Sequence, residues 1–250
     1  MDLRLAYARN MAAWQEWQMG ALGLECHRAD SIWSWPQRGP GMHLTAVTIS
    51  EGTKEAKEEQ LAVVERLVEL RPNDKLSVMD SWMDLDLTHL GFELDGHSPL
   101  YVRPPGPLPA TDIPPELEMT DVSSPADLQD FELASFQAFE ASGAHTIGRW
   151  HHEASLGDPD MRYFSGRVGG KTVSVSIGCV SDGVVEVYGV ATLPQHRRRG
   201  YGAAMTWACL QMAPTLQAVL QPSKQARSMY RRMGFVEAGE TRDWLRKATT

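Results

Sequence analysis

Six prolines fall between Arg103 and Pro115, at positions 104, 105, 107, 109, 114 and 115. Each fixes its own φ and removes a backbone donor, so the stretch is neither helix nor central strand. It divides the 250-residue chain into 1–103 and 116–250, with 104–115 a semi-rigid linker. Each part is long enough to bury a core of its own, given the 42% hydrophobic content of the whole.

The formal net charge of -8 argues against wholesale binding to nucleic acid or an anionic membrane. No apolar run is long enough to span a bilayer. Met1-Asp2-Leu3-Arg4 leads into Arg9, Gln15 and Glu16, not the apolar core of a signal peptide. Cys26, Cys179 and Cys209 are far apart and odd in number, so they read as reduced thiols without metal-ligand spacing. The expectation is a cytoplasmic protein that needs no metal, no membrane and no nucleic acid. Homodimer formation is left open.

Hydrophobic periodicity predicts helices over Leu3–Leu24, Glu55–Leu70 and a short Asp84–Leu90, with strands over His43–Ile49, Leu76–Met79 and Ser98–Val102. Gly39-Pro40-Gly41 reads as a turn. In the second part, strand Leu117–Val122 precedes a helix capped by Ser124-Pro125 and running to about Glu140. Arg162–Val168 and Thr172–Val180 form a hairpin through Gly169-Gly170. Strand Val184–Thr192, helix Tyr201–Met212, strand Leu216–Gln221 and helix Lys224–Met233 follow, with Gly234 as the residue after the last helix. Phe235–Glu237 and Thr241–Arg246 are final strands. The pattern is mixed α/β (α+β), with a mostly antiparallel sheet flanked by helices.

The most informative segment runs from Val184 to Ala203: a strand enters the basic turn Arg197-Arg198-Arg199-Gly200 and then opens a helix at Tyr201-Gly202. A helix start of this kind aims free N–H groups at one point, and its dipole adds positive potential there. Two other phosphate motifs fail. A dinucleotide fingerprint needs a third glycine where Met205 stands, and no Gly-Lys-Ser/Thr follows. Three arginines in isolation would read as a solvated face or a nucleic-acid patch.

Arg197–Gly202 resembles the Q/R-x-x-G-x-G/A signature of the GNAT acetyltransferase superfamily. Leu220-Gln221, Ser223, Ala226, Tyr230 and Met233-Gly234-Phe235 resemble that family's second motif, with Ser223 where asparagine is common. The resemblance covers about Leu117–Arg246. It implies acyl-CoA binding, with acetyl-CoA the expected co-substrate. Val190, Ala191 and Thr192 would present backbone groups to the pantetheine arm. Arg197, Arg198, Arg199, Gly200, Tyr201, Gly202 and Ala203 would hold the pyrophosphate, and Ser223 would lie beside pantetheine. Tyr230 stands where the family places the acid that protonates the leaving thiolate, and Glu186 where some members place the base that deprotonates the amine. Tyr188 and Trp150 are candidates for the acceptor side, whose substrate would be a small-molecule or peptide amine. Alternatives are a non-catalytic acyl-CoA binder or sensor, and a transferase drawing on a carrier protein or aminoacyl-tRNA.

Leu90-Gly91-Phe92 followed by Tyr101 and Arg103 repeats the spacing of Met233-Gly234-Phe235 followed by Trp244 and Arg246. This suggests two tandem GNAT-like halves. The first is degenerate: Leu87 takes the place of Tyr230, and Glu55, Glu58 and Glu59 follow its central strand where arginines would be needed.

Overall fold

The structure, a computed structural model, describes residues 2–38, 43–107, 113–141, 143 and 145–249. The expected Gly39-Pro40-Gly41 turn and the linker residue Pro109 lie outside the described residues. In chain order the elements are α1 (Leu3–Ala21), β1 (His27–Arg28), β2 (Ile32–Ser34), β3 (Ala46–Thr48), α2 (Lys54–Leu70), β4 (Leu76–Asp80) and β5 (Glu93–Arg103). Then come β6 (Glu118–Asp121), α3 (Pro125–Ala138), β7 (Met161–Val168), β8 (Lys171–Ser181), β9 (Val184–Thr192), α4 (Tyr201–Leu210), β10 (Gln217–Leu220), α5 (Arg227–Arg232) and β11 (Val236–Arg246).

Three details differ from the sequence reading, and two strands, β1 and β2, were not anticipated. The expected helix over Asp84–Leu90 is only a 3-10 turn at Thr88–Leu90. The Asp80 carboxylate takes the backbone N–H groups of Asp84 (3.3 Å) and Leu85 (3.0 Å) and fixes an irregular path before it. Helix α5 is shorter than Lys224–Met233, because Ser223–Ala226 closes first as a turn. The two expected final strands are one, β11, running through Gly239 at φ 146°.

The chain forms two compact units: Met1–Leu100 with Ala238–Thr250, and Tyr101–Glu237. This division departs from 1–103 and 116–250. The end of β11 groups with the first unit because it pairs antiparallel with β4, Trp244 opposite Val78 and Arg242 opposite Asp80. Trp244 completes a core there with Ile32, Val64, Leu67, Leu76, Leu87 and Phe92. Conversely, Tyr101–Arg103 at the end of β5 pairs antiparallel with β10 in the second unit.

In the first unit the strand order is β1-β2-β3-β4-β11-β5, with β3 and β4 parallel. In the second it is β5-β10-β9-β8-β7-β6, with β9 and β10 parallel and the other registered pairs antiparallel. The element order α1-β1-β2-β3-α2-β4-turn-β5 is matched by α3-β7-β8-β9-α4-β10-α5-β11. The two Gly-Phe repeats coincide: Gly91 and Gly234 are left-handed at φ 79° and 87°, and each precedes a buried phenylalanine and an 11-residue strand.

Strand β9 has two different faces. Val185 and Val187 join Met205, Cys209 and Leu210 of α4 and Tyr230 of α5 in one core. Glu186 and Tyr188 have the opposite parity and align with Cys179 and Ile177 of β8, beyond which Ile177 faces Tyr163. Tyr163 packs edge-on against Phe131 of α3, so α3 covers this second face.

Candidate active site

The parallel register of β9 and β10 runs from Val184–Gln217 to Glu186–Val219 and goes no further. Strand β9 continues to Thr192, with Gly189 at φ 56° marking an irregularity where its register on β8 shifts. Val190, Ala191 and Thr192 therefore lie on the stretch of β9 beyond its pairing with β10. The parted strands open a slot whose edge carries backbone groups.

At the end of that slot the chain turns into α4. Arg198 and Gly200 are both left-handed, at φ 63° and 85°. Gly200 caps the helix without a side-chain hydrogen bond, which leaves first-turn N–H groups such as those of Tyr201 and Gly202 without intrahelical partners. The backbone N–H groups of Ala203 and Ala204 return to the Gly200 carbonyl, both at 3.1 Å. Gly200 is required by its φ. Gly202 faces the slot between α5 and β9: a Cβ there would meet Met229 Sδ at 3.4 Å and Val190 Cγ1 at 3.9 Å, ordinary contact distances.

The three arginines are not equivalent. Arg197 is a clasp: Nε donates to the Thr192 carbonyl (3.1 Å) and Nη2 to the Ala138 carbonyl at the end of α3 (2.8 Å), with Glu140 at 3.9 Å. Arg199 lies beside Tyr201 and Glu116. Arg198 is exposed and has no ion pair among the described residues. Ser223 is exposed in the turn between β10 and α5.

Tyr230 lies on α5 within the core under α4, its ring 5.6 Å from that of Phe235. Burial pushes its phenol up to about 12, and Thr206 is its hydrogen-bonding neighbour. Thr206 in turn donates to the Gly202 carbonyl at 2.9 Å. A chain of contacts thus joins the phenol to the start of α4. Sequence reading missed Thr206, whose position one turn beyond Gly202 was the available signal.

Glu186 is on the opposite face of β9 and 1% exposed. Its Oε2 has no hydrogen-bond partner, and burial holds the carboxyl well above the usual carboxylate range, partly offset by a hydrogen bond from Tyr188. Tyr188 is itself buried, beside Glu186. An upward shift makes the folded state retain a proton that the unfolded state releases once pH exceeds the ordinary carboxylate value. Stability is therefore lost as pH rises through that window. Glu186→Gln should raise Tm at neutral pH, with the gain disappearing near pH 4, where both states are protonated. Equal Tm differences at the two pH values would contradict this.

Trp150 packs against Phe136 of α3 at 5.4 Å, and His145 packs on the same ring at 5.3 Å. The segment carrying both is held by Glu132, a buried carboxylate on α3 not singled out by sequence. It accepts from the backbone N–H groups of Gly148 (2.7 Å), Trp150 (2.6 Å) and His151 (3.4 Å), with His145 Nε2 at 3.8 Å. Glu132→Ala would strand these donors and should cost about 2–3 kcal/mol in urea unfolding. A cost under about 0.5 kcal/mol, the range of an ordinary surface substitution, would mean that the segment holds itself.

Among the described residues no group of three His, Cys, Asp or Glu side chains is arranged to hold a metal ion. No helix of the described residues is long and apolar enough to cross a membrane. Parted parallel strands, a glycine facing the slot between them and a helix start with free N–H groups fit a bound pantetheine diphosphate.

Residues 126–235 match the model of the acetyltransferase (GNAT) family. Among solved structures, a GCN5-related N-acetyltransferase from Kribbella flavida aligns over 95% of this chain and 96% of its own, with 20% identity and a TM-score of 0.67. A conserved protein of unknown function from Staphylococcus epidermidis aligns over 89% and 93%, with 16% identity and a TM-score of 0.59. A GCN5-related N-acetyltransferase from Sphaerobacter thermophilus aligns over 80% and 70%, with 16% identity and a TM-score of 0.58. No curated protein gives a match.

Proposed function

We propose that the chain transfers an acetyl or other acyl group from coenzyme A to a primary amine of a small molecule or peptide, and that its working site lies in Tyr101–Glu237. The observation that carries this reading is the end of the β9–β10 register at Glu186 and Val219, directly below a helix start capped by left-handed Gly200. Val190, Ala191 and Thr192 would line the pantetheine arm, as would Ser223 from the turn before α5. Arg198, Arg199, Tyr201 and Ala203 would surround the diphosphate, with Arg197 bracing the turn. Bound acetyl-CoA supplies the thioester that the amine attacks.

The chain's own residues supply positioning and proton handling. Tyr230 donates a hydrogen bond toward the sulfur end of the slot. Glu186 accepts the proton of the incoming ammonium, directly or through water, near Tyr188 and on the side where Trp150 is held. A buried carboxyl is a stronger base when ionised than an exposed one. The acidic limb of kcat/KM should therefore lie above the ordinary carboxylate range and be lost or displaced in Glu186→Gln. An unmoved limb would assign the proton transfer to another group.

The first unit is proposed to be a degenerate copy of the same fold that binds no cofactor. The deciding experiment is thiol release from acetyl-CoA across a panel of primary amines. Release with at least one amine supports the transferase. Tight CoA binding with no release across the panel would favour the non-catalytic acyl-CoA sensor.

A further inference from the structure

The phosphate turn is not bare of negative charge. The end of the proline-rich segment lies directly on it. A Cβ at Gly200 would meet Pro114 Cγ at 3.4 Å, and the Pro114 carbonyl accepts from the Leu117 N–H at 2.9 Å, closing a turn around Glu116. Tyr201, the first residue of α4 and 1% exposed, donates its hydroxyl to Glu116 Oε1 at 2.8 Å. Arg199 acts on both groups. The other end of the proline segment is pinned as firmly. The Arg103 guanidinium donates to the carbonyls of Pro104 (3.2 Å), Gly106 (3.3 Å) and Pro107 (2.7 Å), and through Nε to Met233 at the end of α5 (2.9 Å).

We infer that Glu116 is a built-in competitor for the phosphate turn, a carboxylate that occupies Tyr201 and the neighbourhood of Arg199 and so speeds release of the nucleotide product. The inference rests on the reading that this turn holds the diphosphate of coenzyme A. Its chemistry is simple. A diphosphate arriving at the α4 start meets a fixed carboxylate on the same donors, and the pair repel. The tyrosine bond, the largest influence on it, keeps Glu116 ionised well below neutral pH, so the counter-charge is permanent at working pH. Arg197 is likewise shared with Glu140. That leaves Arg198 as the arginine of the three with no carboxylate beside it among the described residues. The turn therefore offers less positive potential than its sequence advertises. That suits a site which must let CoA go after each turnover, since product release often limits such enzymes.

The test uses the full chain with CoA as probe, by calorimetry for affinity and stopped flow for release. Glu116→Gln keeps an acceptor for the Tyr201 hydroxyl and removes only the charge. CoA should bind about three- to tenfold more tightly, with most of the gain in a slower koff, as for two unit charges a few ångströms apart near water. The gain should shrink at high salt and be reduced in an Arg199→Gln background, where the shared cation is gone. Affinity unchanged or weakened in Glu116→Gln, with wild type binding CoA normally, would overturn the inference and leave the cofactor assignment standing. Wild-type protein that binds no CoA would overturn both. A second variant, read by the salt dependence of CoA affinity, keeps the test independent of Glu116→Gln. If Glu116 opposes binding, the salt-induced loss of affinity should be steeper in Glu116→Ala than in wild type; equal slopes would count against it.

Discussion

Gly202→Asp should abolish CoA binding while the fold is retained. The new Cβ meets only side-chain atoms, Met229 Sδ at 3.4 Å and Val190 Cγ1 at 3.9 Å, so no backbone must move. An aspartate in the first turn of a helix also suits the dipole, which protects α4 from unfolding. Its carboxylate would nonetheless lie in the slot between α5 and β9 and beside the free N–H groups of the turn, where the ligand's own negative charge must go. Wild type should saturate at one equivalent of CoA per chain in calorimetry, and Gly202→Asp should remove all of the heat with unchanged circular dichroism.

The single equivalent follows from the first unit's local structure. There the parallel pair β3–β4 is stitched past its register. The backbone N–H of Ser81 donates to Thr48 Oγ1, and Ser81 Oγ donates to the Thr48 carbonyl, both at 2.8 Å. No slot opens. The start of α2 is also filled: the Asp84 carboxylate lies where a Cβ on Gly52 would be, and Lys57 holds it at 3.2 Å. A second equivalent surviving Gly202→Asp would show that this unit binds CoA after all.

What the sequence conveyed and what it withheld divide along physical lines. Local chemistry was legible. Ser124 caps α3, Gly169 and Gly170 turn the β7–β8 hairpin, and Gly234 ends α5, because each answers a demand made within a few residues. The Gly-Phe repeat was legible because both copies need a left-handed residue before a buried ring. Partners distant in the chain were not. Nothing near Val236 says that its strand will continue onto β4, since a strand pattern fixes which residues share a face and not which neighbour they meet. The same holds at the site. Glu116 is 85 residues from Tyr201, and Glu132 is 16 to 19 from the amides it holds. Both look in sequence like ordinary solvated carboxylates. The three arginines illustrate the converse. They read as one positive cluster, yet backbone geometry gives Arg197 to two carbonyls and Arg199 to the vicinity of Glu116.

Tyr230→Phe should lower kcat by about two orders of magnitude, the size of one lost donor to developing charge, with little change in CoA affinity. The phenol's position in the core decides what kind of help it gives. Its pKa is pushed to about 12, whereas a free thiol lies near about 8.5. Full transfer of the Tyr230 proton to a departing thiolate is therefore uphill by several pK units. A neutral, fixed hydrogen bond to the sulfur as it gains charge carries no such penalty, and it is worth most in a site that excludes water. The same shift means that the phenol does not ionise in the working range, so wild-type kcat should show no alkaline loss from Tyr230 below about pH 10. Substitution by phenylalanine preserves the ring's contact with Phe235 and removes only the hydroxyl beside Thr206, so unfolding free energy should fall by about 1 kcal/mol or less. Thr206→Val then separates the two uses of the hydroxyl. If Thr206 aims the phenol, this variant should lower kcat by about tenfold, a smaller part of the same loss, with CoA affinity unchanged. A Tyr230→Phe enzyme with wild-type single-turnover rates would reduce the residue to packing, and the thiolate would then need another donor.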